Sequence, residues 1–243
     1  MVLILNLNYI KIYIVMNALS FRVNWPWMAS ALTYPISLLF VVFVLSRGHL
    51  IDFALVGGVI SAVAISGITA LDYITWLKLD SGYQNLIMTT KTSKMDYMIA
   101  HLAGELTWIT PSFALFFILD LIFGLLTPYT FLALLFLVAL VSISTYSIGF
   151  WFSGIIKYSR HASPLGVILA LAMITISPTF YPYTYLPKAV LYVLSIFPTT
   201  PAVVLAQGIF GLAPMQWYML PLLIVETCVY FVVAVKFTKW RQE

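Results

Sequence analysis

The most constraining feature of this sequence is the length of its uncharged apolar runs. Residues 23–46 carry no charge, and residues 189–225 carry none either, in a chain that is 63% apolar and 8% charged. A transmembrane helix needs about 20 mainly apolar residues, whereas an ordinary soluble domain is about a quarter charged. The sequence therefore predicts an all-α integral membrane protein, a single transmembrane domain over 1–243, and it excludes a soluble enzyme.

Charged and polar residues divide the chain into six predicted transmembrane helices. The connection at 125–128 is so short that it predicts an antiparallel hairpin of the third and fourth spans, and Pro111 is expected to kink the third. The six spans are expected at 23–46, 53–77, 101–124, 129–156, 164–176 and 217–235.

The N-terminal segment 1–24 differs from the spans because polar residues interrupt it. Asn6, Asn8, Lys11, Asn17 and Arg22 dilute its apolar content, which is typical of an amphipathic helix lying at the membrane interface. The alternative is a seventh span over 2–19, which would place the two termini on opposite sides of the membrane.

The positive charges are distributed unequally between the two sides that this topology defines. Ten of the 12 basic residues fall on the side of the N-terminus, and only Arg47 and Lys188 fall on the other. Basic residues mark cytoplasmic segments, so both termini are predicted to be cytoplasmic in a multi-pass protein of the plasma membrane. Because these charges are scattered singly, they do not indicate a nucleic-acid partner.

Prolines interrupt the uncharged region between the fifth and sixth spans. One straight helix is improbable there, since proline removes a backbone donor and clashes with the preceding turn. We expect an extracellular re-entrant segment over 177–214, with half-helices at 186–197 and 202–210. The interrupting residues are Pro178, Pro182, Pro187, Pro198, Pro201 and Pro214.

The sequence carries no motif for catalysis or metal binding. It has no phosphate-binding P-loop, no His-Glu-x-x-His and no Cys-x-x-Cys, its single Cys228 lies in the last apolar run, and its three histidines lie near predicted span ends. An intramembrane enzyme would need a cluster of acid, base or metal-binding residues, which the sequence lacks. Neither an enzyme activity nor a metal site is therefore predicted on this chain.

Three acids fall in or near apolar segments, and they are Asp72, Asp120 and Glu226, while Glu105 lies near the inner end of the third span. A charge in the hydrocarbon core costs several kcal/mol, so such residues usually face protein or water and have a function or a partner. Asp72 and Asp120 are also close enough to span ends to reach the headgroups, and Glu226 is equally compatible with a structural role.

The polar loop 78–98 between the second and third spans contains a short amphipathic helix. Tyr83, Leu86 and Ile87 are expected on one face of this helix. Such a helix is suited to a groove on a cytoplasmic partner, and the alternative is a helix resting on the lipid surface.

The region after the fifth span carries a family resemblance. Phe180-Tyr181-Pro182 is followed by Leu186-Pro187, a short apolar helix and the turn Phe197-Pro198-Thr199-Thr200-Pro201. An apolar span ending in Phe-x-Pro, then Leu-Pro, a short helix and a Pro-Thr turn resembles the membrane subunits of type-2 ABC exporters. The chain length, the six spans, the interfacial N-terminal helix and the cytoplasmic termini fit that family, so the resemblance covers essentially the whole chain.

The resemblance implies that this chain is a permease that pairs with a second copy, or with a related subunit, around a substrate pathway in the lipid membrane. Two ATPase subunits on separate chains would bind ATP and Mg, and this chain would hold no cofactor. The implied ATPase-coupling residues are Asp80, Ser81, Gly82, Tyr83, Leu86, Ile87, Thr89 and Thr90. The implied outer-gate residues are Phe180, Tyr181, Pro182, Tyr183, Tyr185, Leu186 and Pro187.

Two alternatives follow from the residues. Tyr181, Tyr183 and Tyr185 could form an interfacial aromatic belt rather than a gate. An ATP-independent carrier or channel would use Glu226 and Asp120 for ion coupling.

An uncharged, aromatic-rich pathway favours lipid-linked glycans, amphipathic drugs or apolar peptides over small ions as cargo.

Overall fold

The computed structural model describes residues 7–20, 25–90 and 92–238 of the chain. These residues are all-helical, and no strand occurs among them. Two single 3₁₀ turns accompany the α-helices, at Ser159–His161 and Tyr183–Tyr185. The α-helices are α1 (Leu7–Ser20), α2 (Trp25–Leu45), α3 (Ile51–Leu79), α4 (Tyr83–Met88), α5 (Lys94–Ile122), α6 (Pro128–Ile155), α7 (Ala162–Thr175), α8 (Lys188–Leu194), α9 (Thr199–Ile209) and α10 (Met219–Phe237).

Four described helices are long and apolar enough to cross a membrane, and they are α3, α5, α6 and α10. In α2 the apolar stretch with described side chains is Leu32–Leu45. Helix α7 has 14 residues, which is about 21 Å at 1.5 Å per residue, against a hydrocarbon core of about 30 Å. The integral-membrane class is thus supported by four helices, and six crossings remain a prediction.

The starts of α5 and α6 have local sequence causes. Ser93 and Asp96 form a capping box at the start of α5, and Thr127 and Thr130 form the same arrangement at the start of α6, where Pro128 occupies the first turn. Each box satisfies backbone N–H groups that would otherwise have no partner. Helix α5 continues through Pro111 without a break in the helical assignment.

Helix α3 is the buried centre of the bundle, and α5 packs antiparallel to it. Phe116 lies where a Cβ at Gly58 would be, and the Ser66 hydroxyl donates to Glu105 at 3.2 Å. Small residues such as Gly58 let membrane helices approach closely. Because α5 runs past α3 in this register, its N-terminal residues lie beside the end of α3 that leads into α4.

Of the other two helices long enough to cross a membrane, α6 packs on α3, and α10 packs on α6 and α9. A Cβ at Gly67 of α3 would overlap Thr145 of α6, so these two helices are in close contact. Helix α10 is joined to α6 by a hydrogen bond of 2.8 Å between the hydroxyls of Thr227 and Ser144, both of which are buried. Helix α9 packs against α3, α6, α7 and α10.

Candidate functional site

The segment between α7 and α10 is a folded cap fastened by one buried amide, that of Gln207. The Gln207 side chain is 1% exposed. Its Oε1 accepts from the Tyr183 backbone N–H at 3.0 Å, and its Nε2 donates to the carbonyls of Pro178 and Tyr181, both at 2.9 Å. A single side chain therefore satisfies three backbone groups of a loop that has no regular helix to satisfy them.

Hydroxyl groups make a second set of bonds in this segment. The Ser177 hydroxyl is hydrogen-bonded to those of Thr199 and Thr200 at 2.8 and 2.9 Å, and Thr199 also donates to the carbonyl of Met173 in α7. All three hydroxyl side chains are fully buried. The end of α7 is thereby joined to the start of α9, across the intervening 3₁₀ turn and α8.

The segment also lies directly on α3. A Cβ built on Gly57 would be 1.6 Å from the carbonyl oxygen of Thr179, so only glycine permits this approach. The backbone of the segment is therefore in contact with the helix that forms the centre of the bundle.

The residues expected to form the outer gate fall into two groups in the structure. Phe180, Pro182 and Tyr183 are buried, and the Tyr183 hydroxyl donates to the carbonyl of Pro214 at 2.5 Å. Tyr181 and Leu186 are half-buried, whereas Tyr185 and Pro187 are exposed. The buried group is internal packing of the cap, and the exposed group lies on its surface.

The opposite end of α3 leads into the short helix α4. Gly82 at its start has a φ of +67°, a left-handed conformation that favours glycine. Tyr83 and Ile87 pack against a buried cluster that includes Ile74 and Tyr97, whereas Leu86 is 67% exposed.

The other residues expected to couple to an ATPase lie around this helix. Asp80 and Ser81 precede it and are exposed, and Thr89 and Thr90 follow it and are exposed as well. The hydroxyls of Thr89 and Thr90 donate to the carbonyls of Leu86 and Ile87, which satisfies the C-terminal end of the helix. The prediction placed Tyr83, Leu86 and Ile87 on one face, but the structure directs Leu86 outward and the other two inward.

Helix α1 is attached at the same end through a contact that the sequence did not indicate. The Tyr13 hydroxyl is hydrogen-bonded to Nδ1 of His101 at 2.6 Å, and the ring centroids of Tyr13 and Tyr97 are each 4.1 Å from that of the imidazole. The sequence placed His101 near a span end without indicating a partner, and the structure buries its side chain. The available signal was the i, i+4 spacing of Tyr97 and His101, which places both on one helix face.

Helix α1 also reaches α4. Burial, followed by the nearby Tyr83, raises the pKa of Tyr9 above its ordinary value. Tyr9 of α1 and Tyr83 of α4 pack against the same buried cluster.

The three intramembrane acids lie on separate helices and form no common site. Asp72 is half-buried in α3, and Asp120 is fully buried in α5, where neither carboxylate oxygen has a partner among the described residues. Glu226 is half-buried in α10, and its Oε2 has no partner within the same part of the chain. No group of three metal-binding side chains occurs in the described ranges.

Comparison with protein-family models and with curated proteins gives no match for this chain.

Proposed function

We propose that this chain is the permease subunit of an ATP-driven type-2 ABC exporter. It would lie in the plasma membrane with both termini in the cytoplasm. It would act as a dimer with a second copy or a related permease, coupled to two ATPase subunits on separate chains. Lipid-linked glycans, amphipathic drugs or apolar peptides are the classes of cargo that an uncharged, aromatic-rich pathway favours.

The observation that carries this proposal is that α3 connects the two features implied by the family resemblance. One end of α3 contacts the proline-rich cap through Gly57 and Thr179, and the other end continues into α4. With 29 residues, α3 is about 44 Å long and is largely buried. A displacement of α4 therefore has a direct route to the cap along one helix.

Helix α4 has some side chains that pack against the bundle and one that faces outward, as coupling to a partner would require. Tyr83 and Ile87 hold it to the bundle, while Leu86 is available to a partner. When ATP closes the partner ATPases, a load on Leu86 would pass through Tyr83 and Ile87 to α3 and α5. The switch between inward and outward access then depends on how differently the two states bind cargo and partner.

The first experiment is to express this chain with a candidate P-loop ATPase and to measure the subunit masses and ATP turnover of the detergent-solubilised complex. Leu86→Ala is expected to weaken ATPase association roughly tenfold, because truncation of a central interface side chain costs about 1–2 kcal/mol. The matched control is Leu19→Ala on α1, since Leu19 is a leucine with 63% exposure. The proposal is contradicted if the chain stays folded but binds no ATPase. It is also contradicted if Leu86→Ala and Leu19→Ala change ATPase association equally.

A second candidate function rests on Asp120. A buried carboxyl group without a partner is costly, so it is usually retained for a role such as proton or ion coupling. In an ATP-independent carrier that uses Asp120 and Glu226, transport into proteoliposomes would be driven by an ion gradient without nucleotide. Asp120→Asn would abolish that transport, and transport that needs ATP would reject this candidate.

A further inference from the structure

A charged depression lies at the end of the bundle where α3 ends. It has a volume of about 740 Å³ and is open to the outside. Its lining combines the last turn of α3 with the link between α6 and α7, and consists of Leu79, Asp80, Lys157, Tyr158, Ser159 and Arg160. Among these residues only Asp80 belongs to the predicted ATPase-coupling set, and those of the α6–α7 link have no part in the coupling or gating role proposed above.

Charges of both signs line this depression without neutralising one another. Asp80 forms no ion pair with Lys157 or Arg160 within the described part of the chain. The Arg160 guanidinium instead lies over the Tyr158 ring, 5.4 Å from its centroid. A ring contact leaves the N–H groups at the edge of a guanidinium available to an anion. The depression therefore offers two cations and one carboxylate to a ligand.

The exposed side chains beside the depression are of the kinds that occur at the boundary between acyl chains and headgroups. Ile155, at the end of α6, is 54% exposed, and Tyr158 is 59% exposed. Exposed apolar side chains of a spanning helix face the acyl chains, and tyrosines concentrate at the boundary between acyl chains and headgroups. Lys157 and Arg160 follow Ile155 closely in the sequence, so lipid phosphates are the anions expected nearest to them.

We propose that this depression binds the headgroup of phosphatidylethanolamine. Lys157 and Arg160 would bind the phosphate, with the Ser159 hydroxyl as a further donor, and Asp80 would accept hydrogen bonds from the ammonium group. The carboxylate distinguishes this lipid from two common ones. Phosphatidylcholine has no N–H to donate to Asp80, and phosphatidylglycerol has no cationic group.

The test is native mass spectrometry of the purified full-length chain, without nucleotide or ATPase, in detergent with added lipids of matched acyl chains. Phosphatidylethanolamine is expected to be retained roughly tenfold better than phosphatidylcholine, as for one hydrogen bond to a charged group. Asp80→Asn is expected to remove that preference without weakening phosphatidylglycerol binding, because it takes away a negative charge that only the ammonium group needs. The double variant Lys157→Gln with Arg160→Gln is expected to weaken the binding of phosphatidylethanolamine and of phosphatidylglycerol, because both cations that bind the phosphate are removed.

The matched control is Lys188→Gln, which removes an exposed cation in the cap and is expected to leave lipid binding unchanged. Equal retention of all three lipids, or a preference that survives Asp80→Asn, overturns the assignment. The assignment is also overturned if the Lys157→Gln, Arg160→Gln double variant binds lipid normally but no longer associates with an ATPase. The depression would then bind a protein partner. Since lipid binding is measured on the chain alone, this result is independent of whether the proposed ATPase coupling holds.

Discussion

Replacement of Gln207 by leucine tests whether one amide holds the cap together. Leucine nearly preserves the side-chain volume, so the change removes hydrogen bonds with little effect on packing. It leaves the Tyr183 N–H and the carbonyls of Pro178 and Tyr181 without their side-chain partner. An unsatisfied buried group costs about 1–3 kcal/mol, so three of them imply a loss of roughly 3–5 kcal/mol once some relaxation is allowed.

The assay is thermal unfolding of the detergent-solubilised protein, followed by tryptophan fluorescence. In a chain of this size each kcal/mol corresponds to about 2–4 °C, so Gln207→Leu is expected to lower Tm by roughly 10 °C. Protease cleavage within 177–214 should increase in parallel. The matched control is Gln216→Leu, because Gln216 is half-buried and its amide donates one hydrogen bond, to the Tyr183 hydroxyl at 3.1 Å. A Tm for Gln207→Leu equal to that of the control would refute the reasoning.

Two further substitutions test the contacts of α3 and α1. Gly57→Ala is expected to destabilise the protein by about 1–3 kcal/mol, because the added Cβ meets the Thr179 carbonyl at 1.6 Å, and Tm measures this loss. Tyr13→Phe is expected to cost about 1–3 kcal/mol by leaving the buried His101 Nδ1 without its partner, and to release α1 to protease cleavage.

Controls for these two variants are available in the same chain. Gly166→Ala adds a Cβ whose nearest neighbour is 3.7 Å away, so the helix propensity of alanine should leave stability unchanged or raise it by up to about 1 kcal/mol. Ile12→Ala removes a side chain that is 66% exposed on the same helix as Tyr13. If Gly57→Ala stabilises the protein as Gly166→Ala does, the proposed contact between α3 and the cap is wrong. If Tyr13→Phe and Ile12→Ala have the same effect, the hydrogen bond to His101 does not hold α1.

The apolar runs were sufficient to predict the class of fold, because the length of an uncharged segment is a local property. They located α3, α5, α6 and α10, the four described helices long and apolar enough to cross a membrane, to within several residues at most ends. The prolines between 178 and 214 likewise predicted a break, since proline acts on its own turn of helix. The short helices α8 and α9 occur where that break was expected.

What holds these elements together was decided by the tertiary structure. Gln207 is a single amide in an apolar run, and nothing local shows that three backbone groups from residues 178–183 converge on it. His101 lies near a predicted span end, and only the packing of α1 against α5 brings Tyr13 to it. Hydrophobic periodicity determines which residues leave water, but the partner of a buried polar atom depends on how distant segments of the chain are arranged.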